Sequence, residues 1–553
     1  MQYAIGIDYG TQSARLILVE VPSGKVVAES EQHYPHGVME HALPSGKKLG
    51  ENWAVQDAND YYEMIAAGTR EVLAASGAAP QDVIGIGIDI TCCTMLPLDA
   101  ALEPLSNHAE FADEPNAYAK LWKHHAAQSY ANKLNEIARA EGMAFLDRYG
   151  GIISSEWLIP KIMQVAEEAP AVYDAAAHFA EVGDWLTARL TGNLVKSNAM
   201  AGYKSLWSKT DGYPDSKFFA LLHPRMEHVV REKLSAPIMD IGSRVGFLTE
   251  AAAQKLGLTT GTAVAVAHTD ACVVPAGIGV NRVGQMAMSV GTSTCHLLLG
   301  EGMKHVPGIC GAVENGTIPG FVSYEAGQAA VGDIFGWFVK NCVNSATEKA
   351  AEARGISVYE LLEEQAGALA PGESGLVALD WFNGNRTILV DADLSGMIAG
   401  LTLHTTPAKI YRALMEATAF GTRIIIENFV RNGIPVNEII ACGGIPQKSP
   451  LLMQIYADVC GRPIQVSGLK LASAYSAAMY GAVAAGGSAG GFDSTAEAID
   501  AMAWKDTRTY HPNSATAAAY DRLYAIFVKL HDFAGMHTDI LRQLKQLSLD
   551  AAQ

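Results

Sequence analysis

The sequence contains the same hydroxyl-rich turn twice, and this kind of turn suits phosphate. The segments IDYGTQSARLILV (7–19) and MSVGTSTCHLLL (288–299) each pass from an apolar stretch through Gly-Thr, one further residue and a Ser or Thr into a second apolar stretch. Such a turn offers backbone amides and small side-chain donors at close range. Two of them facing each other across a cleft would surround a polyphosphate, whereas a single copy is explained equally well as a tight hairpin. The P-loop pattern GxxxxGK[ST] is absent from the sequence.

Three carboxylates stand where apolar strands are predicted to end. Asp8 precedes the first turn, and a carboxylate there supplies the oxygen ligand that Mg²⁺ prefers. Asp270 ends VAVAHTD and is the candidate general base, because Asp is rarely buried without a partner or a function. A helix cap or a structural ion pair is the alternative for Asp270. Asp89, in GIGIDI, is followed by small residues that could line a pocket floor, but a role as a strand-end cap explains it at least as well. His268 is interpreted as a structural residue.

Other polar groups lie among aromatic residues and glycines, an arrangement from which a polyol site is built. Lys204 lies in GYKSLW and Glu325 in YEAGQ. An ordinary surface position is the alternative for both. Cys92 and Cys93 are adjacent and have no activating base nearby in the sequence, so they are interpreted as pocket wall or packing and not as nucleophiles.

Strands that end at a shared cleft must position these groups, and the sequence predicts them in both halves. Three antiparallel strands, a helix and a buried strand open the chain, and the pattern starts again near Gly284, with a hairpin signal at Asn315-Gly316. The predicted strands are 3–8, 14–21, 25–29, 83–91, 262–270, 376–382 and 438–442, and the predicted helices are 57–77, 116–141, 156–168, 182–190, 328–343, 407–431, one from 450, and 515–547. The fold class is therefore α/β, with domains expected at 1–275 and 276–553.

Length, charge and hydropathy exclude several function classes. The 553 residues exceed what one hydrophobic core supports, so at least two domains are expected. A net charge of −18 opposes binding to nucleic acid, which depends on neutralising phosphates. The first residues, MQYAIGIDYG, have no basic leader, and the apolar tracts are interrupted before they reach the length of a membrane helix. We therefore expect a cytoplasmic protein that spans no membrane.

Longer motifs make the sequence resemble one enzyme family over almost its whole length. These are IGIDYGTQSAR near the start, YGGIISSEW (149–157), AGYKSLW (201–207), GTSTC (291–295), GICG (308–311), EAGQAAVGDIFGWF (325–338), DWFNGNRT (380–387) and GGIPQKSPLLMQIYAD (443–458). The chain resembles the FGGY carbohydrate kinases. This resemblance implies two ribonuclease H-like domains, as in actin and hexokinase, that flank a catalytic cleft.

The same resemblance assigns residues to roles. Asp8, Thr11, Gln12 and Ser13 match the first phosphate turn, and Gly291, Thr292 and Ser293 match the second. Gly443, Gly444, Ile445, Gln447 and Lys448 match the adenosine-binding segment. The sugar contacts are matched by Cys92, Trp122, Lys204, Asp270, Glu325 and Gln328. Asp270 matches the catalytic base, and Asp8 and Asp270 are the expected metal ligands. The sequence departs from the family pattern at AHTDAC around Asp270 and at AYSAA (474–478), which places Tyr475 and Ser476 at the start of a tightly packed helix.

The activity implied by the resemblance is phosphoryl transfer from ATP, with Mg²⁺, to O5 of a ketopentose. L-ribulose is the expected acceptor, which would place the enzyme in L-arabinose catabolism, and a homodimer is the expected assembly. One alternative is a kinase of the same family that acts on D-ribulose, xylulose or a polyol. The others are an ATPase switch of the actin or heat-shock type and a binding module without catalysis.

Overall fold

The computed structural model describes residues 1–552 and has two large mixed β-sheets with helices on their faces. The strands of the first half are β1 (Gln2–Tyr9), β2 (Ser13–Val21), β3 (Val26–His33), β4 (Val55–Gln56), β5 (Val83–Ile90), β6 (Met95–Leu98), β7 (Ala119–Lys120), β8 (His178–Glu181), β9 (Lys196–Ser197), β10 (Ile238–Met239), β11 (Arg244–Phe247), β12 (Ala263–Ala265) and β13 (His268–Thr269). Its helices are α1 (Ala58–Ser76), α2 (Gln128–Ala140), α3 (Leu158–Glu168), α4 (Pro170–Ala175), α5 (Val182–Thr191), α6 (Asn198–Lys204), α7 (Ser216–Leu222), α8 (Val229–Lys233), α9 (Glu250–Leu256) and α10 (Asp270–Gly277).

The second half repeats this alternation of strands and helices. Its strands are β14 (Gln285–Val290), β15 (Thr294–Gly300), β16 (Gly311–Glu314), β17 (Val322–Gln328), β18 (Val377–Leu379), β19 (Met397–Ala399), β20 (Glu438–Cys442), β21 (Ile464–Ser467) and β22 (Thr507–Tyr510). Its helices are α11 (Gly332–Cys342), α12 (Ser345–Ala353), α13 (Val358–Gly367), α14 (Pro407–Arg431), α15 (Gly444–Lys448), α16 (Pro450–Cys460), α17 (Ala472–Ala485), α18 (Thr495–Met502), α19 (Ser514–Asp532) and α20 (Ile540–Ala552). None of the helices described for residues 1–552 has the length and hydropathy needed to cross a bilayer.

The two sheets share one strand arrangement. The first has the order β11-β12-β5-β1-β2-β3, with β13 beside β5, and the second has the order β16-β17-β15-β14-β20-β21-β22. In each sheet a strand pairs antiparallel with the next strand of the chain and parallel with a later one: β1 with β2 and β5, and β14 with β15 and β20. The repeated motif of the sequence is therefore a repeated fold, which agrees with the two similar domains expected from the resemblance.

Local sequence signals explain several of these elements. Asp57 caps α1 by accepting a hydrogen bond from the backbone N–H of Asn59, and Gly77 ends the helix in the left-handed conformation, with φ of 68°. β5 carries glycines on the face that meets α17, because a Cβ on Gly87 would lie 1.8 Å from the backbone oxygen of Ala477. A helix from the second half of the chain thus packs directly on the first sheet.

Several predicted elements differ from the structure. The predicted helix 116–141 begins only at Gln128, because residues 115–117 form a 3₁₀ turn and 119–120 join a small sheet. The predicted helix 328–343 begins at Gly332, since β17 runs through 328. The predicted strand 262–270 is interrupted between β12 and β13, and Asp270 already belongs to α10. The predicted helix 515–547 is broken at Phe533–His537, where Gly535 lies against Trp381 and Leu389.

The hairpin signal at Asn315-Gly316 is confirmed in part. β16 and β17 are antiparallel, but residues 315–321 connect them instead of a two-residue turn, with φ of 54° at Asn315. The expected domain boundary near residue 275 remains a prediction.

Candidate active site

Three carboxylates meet at one edge of the first sheet. β1 and β5 are parallel neighbours, with Asp8 directly opposite Asp89. β13 runs parallel to β5 on its other side, with Thr269 opposite Ile90, so that Asp270 leaves the sheet at the same edge. Burial and the charges of Asp8 and Asp270 raise the pKa of Asp89 well above its ordinary range. Strand register alone therefore brings together groups that are far apart in the sequence.

Asp270 is suited to accept a proton at neutral pH. It is the first residue of α10, and its Oδ1 accepts a hydrogen bond of 2.7 Å from the backbone N–H of Ala271. Burial raises its pKa to about 7, and the charges of Asp8 and Glu325 act in the same direction. A general base is most effective when its pKa lies near the working pH.

Lys204 and Glu325 form a largely buried ion pair that connects the two halves of the chain. Lys204 ends α6 and Glu325 lies on β17, and Nζ is 3.1 Å from Oε2, with side chains 16% and 15% exposed. Burial alone would lower the pKa of Lys204, but the carboxylate of Glu325 raises it above the usual lysine value. The ammonium also lies 5.2 Å from the ring centre of Trp157. Charged donors and acceptors beside an aromatic wall suit a polyhydroxylated ligand.

Hydrogen bonds from the buried Lys161 hold the turn at Cys92 and Cys93 in place. Nζ of Lys161 donates to the backbone oxygens of Cys93 and Leu121 at 2.5 Å each, and its side chain is fully buried. The neighbouring thiol of Cys93, together with burial, raises the pKa of Cys92 well above its ordinary value. Cys92 therefore remains a neutral thiol, which agrees with its interpretation as pocket wall. Trp122 directly follows Leu121.

The first Gly-Thr turn lies beside these residues. The backbone N–H of Gly10 donates to the oxygen of Ser13 at 3.0 Å and closes the turn. Indole Nε1 of Trp122 donates to the hydroxyl of Thr11 at 3.1 Å. The hydroxyl of Ser13 donates to Glu31 at 2.8 Å, so this side chain is engaged within the fold, while Gln12 is exposed.

The second Gly-Thr turn lines a cavity of about 570 Å³. Its wall includes six of the residues predicted for the nucleotide: Gly291, Thr292, Ser293, Gly443, Gly444 and Gln447. Val274 of α10 also lines it, one turn after Asp270, and so does Ser473, whose hydroxyl donates to the backbone oxygen of Asp270 at 3.4 Å. The cavity therefore extends to the helix that carries the candidate base.

Comparison with known proteins identifies the family. The family models described as the FGGY family of carbohydrate kinases match residues 3–277 with the N-terminal domain and 286–485 with the C-terminal domain. This chain belongs to the FGGY carbohydrate kinases. Membership implies a sugar and ATP as its substrates.

Individual proteins that are similar to this chain are named as sugar kinases as well. A ribulokinase from Geobacillus thermodenitrificans (strain NG80-2) is 52% identical over 546 residues, which cover 98% of this chain and 97% of that protein. A ribulokinase from Anoxybacillus flavithermus (strain DSM 21510 / WK1) is 51% identical over 546 residues, with coverage of 98% and 97%. The crystal structure of xylulose kinase from Rhodospirillum rubrum is similar in fold, with a TM-score of 0.76 and 24% identity over 96% of this chain and 98% of that chain.

Three predicted residues of this carbohydrate kinase lie apart from the groups assembled above. Gln328 is buried, and its amide donates to Asp380 and to the backbone oxygen of Thr418 and accepts from Thr422, so its hydrogen bonds are satisfied inside the second half. Ile445 and Lys448 belong to α15 but are not part of the cavity wall. The exposed Lys448 ends that helix.

Sequence reasoning missed other residues at the kinase's cleft. Lys470 and Ser473 line the cavity. Small and basic residues before an apolar helix, as in LKLASAYS, were the available signal for both. Asp89 was interpreted as a cap, yet apart from the carboxyl of Asp8 no described residue offers its oxygens a hydrogen bond. The register of β1 and β5 places Asp89 opposite Asp8, which the sequence alone does not show.

The unusual Tyr475 and Ser476 connect α17 to its surroundings. The hydroxyl of Tyr475 lies 2.6 Å from the backbone oxygen of Met502 and donates to it. The hydroxyl of Ser476 accepts the backbone N–H of Gly277 at 2.9 Å, at the end of α10. Ser476 therefore joins α17 to the helix that begins with Asp270, and Tyr475 joins α17 to the end of α18.

Proposed function

We propose that this kinase transfers the γ-phosphoryl group of ATP to O5 of L-ribulose and forms the 5-phosphate. The relatives named ribulokinase, about 50% identical over nearly the full chain, support ribulose as the acceptor. The observation that carries the chemistry is the position of Asp270, which begins the helix that lines the proposed nucleotide cavity and lies close enough to Glu325 of the Lys204–Glu325 pair for that charge to raise its pKa.

In the proposed reaction, Asp270 orients the O5 hydroxyl and accepts its proton as the bond from O5 to the γ-phosphorus forms. The bond from that phosphorus to the β,γ-bridging oxygen breaks, and ADP leaves. Proton transfer of this kind is worth about 10²- to 10⁴-fold in rate. Lys204 and Glu325, with the turn at Cys92 and the indole of Trp122, would hold the sugar. Gln328 has no support from its contacts for this role.

The proposed phosphate sites are the two Gly-Thr turns. Thr11, Gln12 and Ser13 would form the first, and Gly291, Thr292 and Ser293 the second, where backbone amides meet the developing negative charge. The adenosine would lie along Gly443, Gly444 and Gln447, which share the cavity with the second turn. Ile445 and Lys448 would support this segment from α15.

The carboxylates suit a magnesium ion. Asp8 and Asp270 offer oxygen ligands, and the buried Asp89 beside them has oxygens without other hydrogen-bonding partners among residues 1–552. We propose that Asp8 and Asp270 hold Mg²⁺, which neutralises phosphate charge when bound. The proposal also includes a homodimer, a cytoplasmic location, and division of the sugar and nucleotide sites between domains 1–275 and 276–553.

The test is ADP release with MgATP and a panel of L-ribulose, D-ribulose, L- and D-xylulose and ribitol. We expect the highest kcat/KM with L-ribulose and only weak ADP release without sugar, because closure of the cleft on the sugar would exclude water. Faster turnover of another acceptor would assign the kinase to that substrate instead. Rapid ATP hydrolysis without any sugar would favour an ATPase switch.

A further inference from the structure

The motif DWFNGNRT (380–387) has no role in the reaction described so far, yet it brings Arg386 close to Glu325. The loop that contains it is fixed to the second sheet. The hydroxyl of Thr387 accepts the backbone N–H of Gly327 at 2.7 Å, and the N–H of Ile388 donates to the oxygen of Gly308 at 2.9 Å. The position of Arg386 is therefore set by backbone contacts on both sides.

The side chain of Arg386 crosses the same strand face as Glu325. A Cβ on Gly327 would lie 3.3 Å from Cδ of Arg386, so the stem covers this glycine. Gly327 and Glu325 are two residues apart on β17 and share a face. Cys295, directly opposite Gly327 on β15, lines the nucleotide cavity. Arg386 thus stands beside Glu325, one strand away from the point where Cys295 lines that cavity.

The guanidinium has no protein partner within the part of the chain that the structure describes. Burial would lower its pKa, but Cys310, Glu325, Cys295 and Glu156 together raise it. The carboxylate of Glu325 is already paired with Lys204. Although neighbouring groups partly cover Arg386, the residue keeps an exposed surface, and no described residue satisfies its five donors with a hydrogen bond, so they are available to a ligand.

Glu325 is a charged neighbour of both Arg386 and Asp270. The charge of Glu325 acts on both, whereas the main other neighbours of Asp270 and Arg386 differ: Asp8 for the former and Cys310 for the latter. A five-carbon sugar with O5 at Asp270 and its middle hydroxyls at Glu325 would extend its ketose end toward Arg386. The planar guanidinium of Arg386 carries neighbouring N–H donors in a fixed geometry, which suits the adjacent oxygens O1 and O2 at that end of the sugar.

We propose that Arg386 is a specificity-determining residue that hydrogen-bonds the C1–C2 end of the ketopentose. This inference rests on the proposed function for the placement of O5 at Asp270. Loss of a charged hydrogen bond to the substrate is expected to lower kcat/KM for the sugar roughly 10- to 100-fold. Because a guanidinium only donates, it holds the sugar and takes no proton from it.

The experiment combines Arg386→Met with 1-deoxy-L-ribulose, which lacks O1. For wild type we expect the deoxy sugar to lose roughly 10- to 100-fold in kcat/KM, and for Arg386→Met we expect a similar loss with L-ribulose but little further loss with the deoxy sugar. The KM for ATP should stay unchanged, and Arg386→Lys should restore part of the activity. Arg354→Met changes an exposed arginine that directly follows α12; it is the matched control and should behave as wild type.

Three results would overturn the inference: unchanged sugar kinetics in Arg386→Met, a loss confined to the KM for ATP, or fully additive losses from the substitution and the deoxy sugar. The deoxy sugar probes the wild-type enzyme directly, so the test does not depend on the folding of a variant. If the enzyme prefers another ketopentose, the proposed function fails, and the same comparison with that sugar and its 1-deoxy form still decides the role of Arg386.

Discussion

Replacing Asp270 by Asn is expected to stabilise the protein while it abolishes most of the activity. Burial, with the charge of Asp8, raises the pKa of this carboxyl from 3.8 to about 7. A raised carboxyl pKa means that the folded state binds the proton more tightly, so stability falls as the pH rises from about 4 to about 7. At about 1.4 kcal/mol per unit, a shift of about three units costs up to ~4 kcal/mol of the free energy of unfolding above pH 7.

Asn carries no charge and removes this cost. In metal-free buffer, we expect the melting temperature of Asp270→Asn to equal that of wild type near pH 4 and to exceed it increasingly up to pH 7, with no further gain above. With MgATP and sugar, kcat should fall by about 10²- to 10⁴-fold. Differential scanning fluorimetry across pH and coupled ADP release measure the two effects.

The control is Asp184→Asn in α5. Asp184 is also a buried carboxyl, with its pKa raised to about 8 by burial, and its Oδ1 accepts the backbone N–H of Ser197 at 2.9 Å. Asn keeps that acceptor, so this variant should gain stability at neutral pH and retain kcat. If Asp270→Asn lowered both stability and kcat, Asp270 would be a structural cap, and if it left kcat within about tenfold of wild type, the assignment as base would be wrong.

Two further substitutions test the nucleotide cavity and the floor of the sugar pocket. A Cβ on Gly444 would have nothing within 4 Å and would project into the cavity, so Gly444→Val should raise the KM for ATP by about tenfold or more without lowering the melting temperature; an unchanged KM would place ATP elsewhere. Lys161→Met would leave the backbone oxygens of Cys93, Lys120 and Leu121 without their buried donor and should lower the free energy of unfolding by about 2 kcal/mol, together with a higher KM for the sugar. A urea midpoint equal to that of wild type would contradict this view of Lys161.

The parts of the fold that depend on local signals were predictable. The helix expected at 57–77 occurs as α1, because its Asp57 cap and terminal Gly77 act within the segment itself. The repeated strand and Gly-Thr turn were also visible, since each copy is contiguous in the sequence. The helix expected at 116–141 was wrong over residues 116–127, because tertiary pairing of 119–120 with β4 and β6 overrides helical spacing.

The parts of the site that depend on distant pairing were not predictable from one sequence. Asp89 looks like any strand-end carboxyl until the register of β1 and β5 places it opposite Asp8. Gln328 lies in a motif with Glu325, but its amide faces Asp380 and the helix α14. Ser473 reaches the cavity only because α17, from the second half of the chain, packs against the first sheet. In each case the decisive partner lies far away in the sequence.

The duplicated fold carries different residues at equivalent strand ends: carboxyl groups in the first sheet and neutral groups in the second. In the first sheet the parallel pair at the strand ends is Asp8 and Asp89, whereas in the second sheet the corresponding pair is Ser289 and Cys442. The hydroxyl of Ser289 and the thiol of Cys442 lie 3.3 Å apart, and burial raises the pKa of the thiol to about 11, so this pair stays neutral. Both residues line the nucleotide cavity, where a carboxylate would repel the polyphosphate of ATP. In the proposed reaction, the carboxylates thus lie at the edge that would hold a proton and a cation, and neutral small groups occupy the edge that would admit an anion.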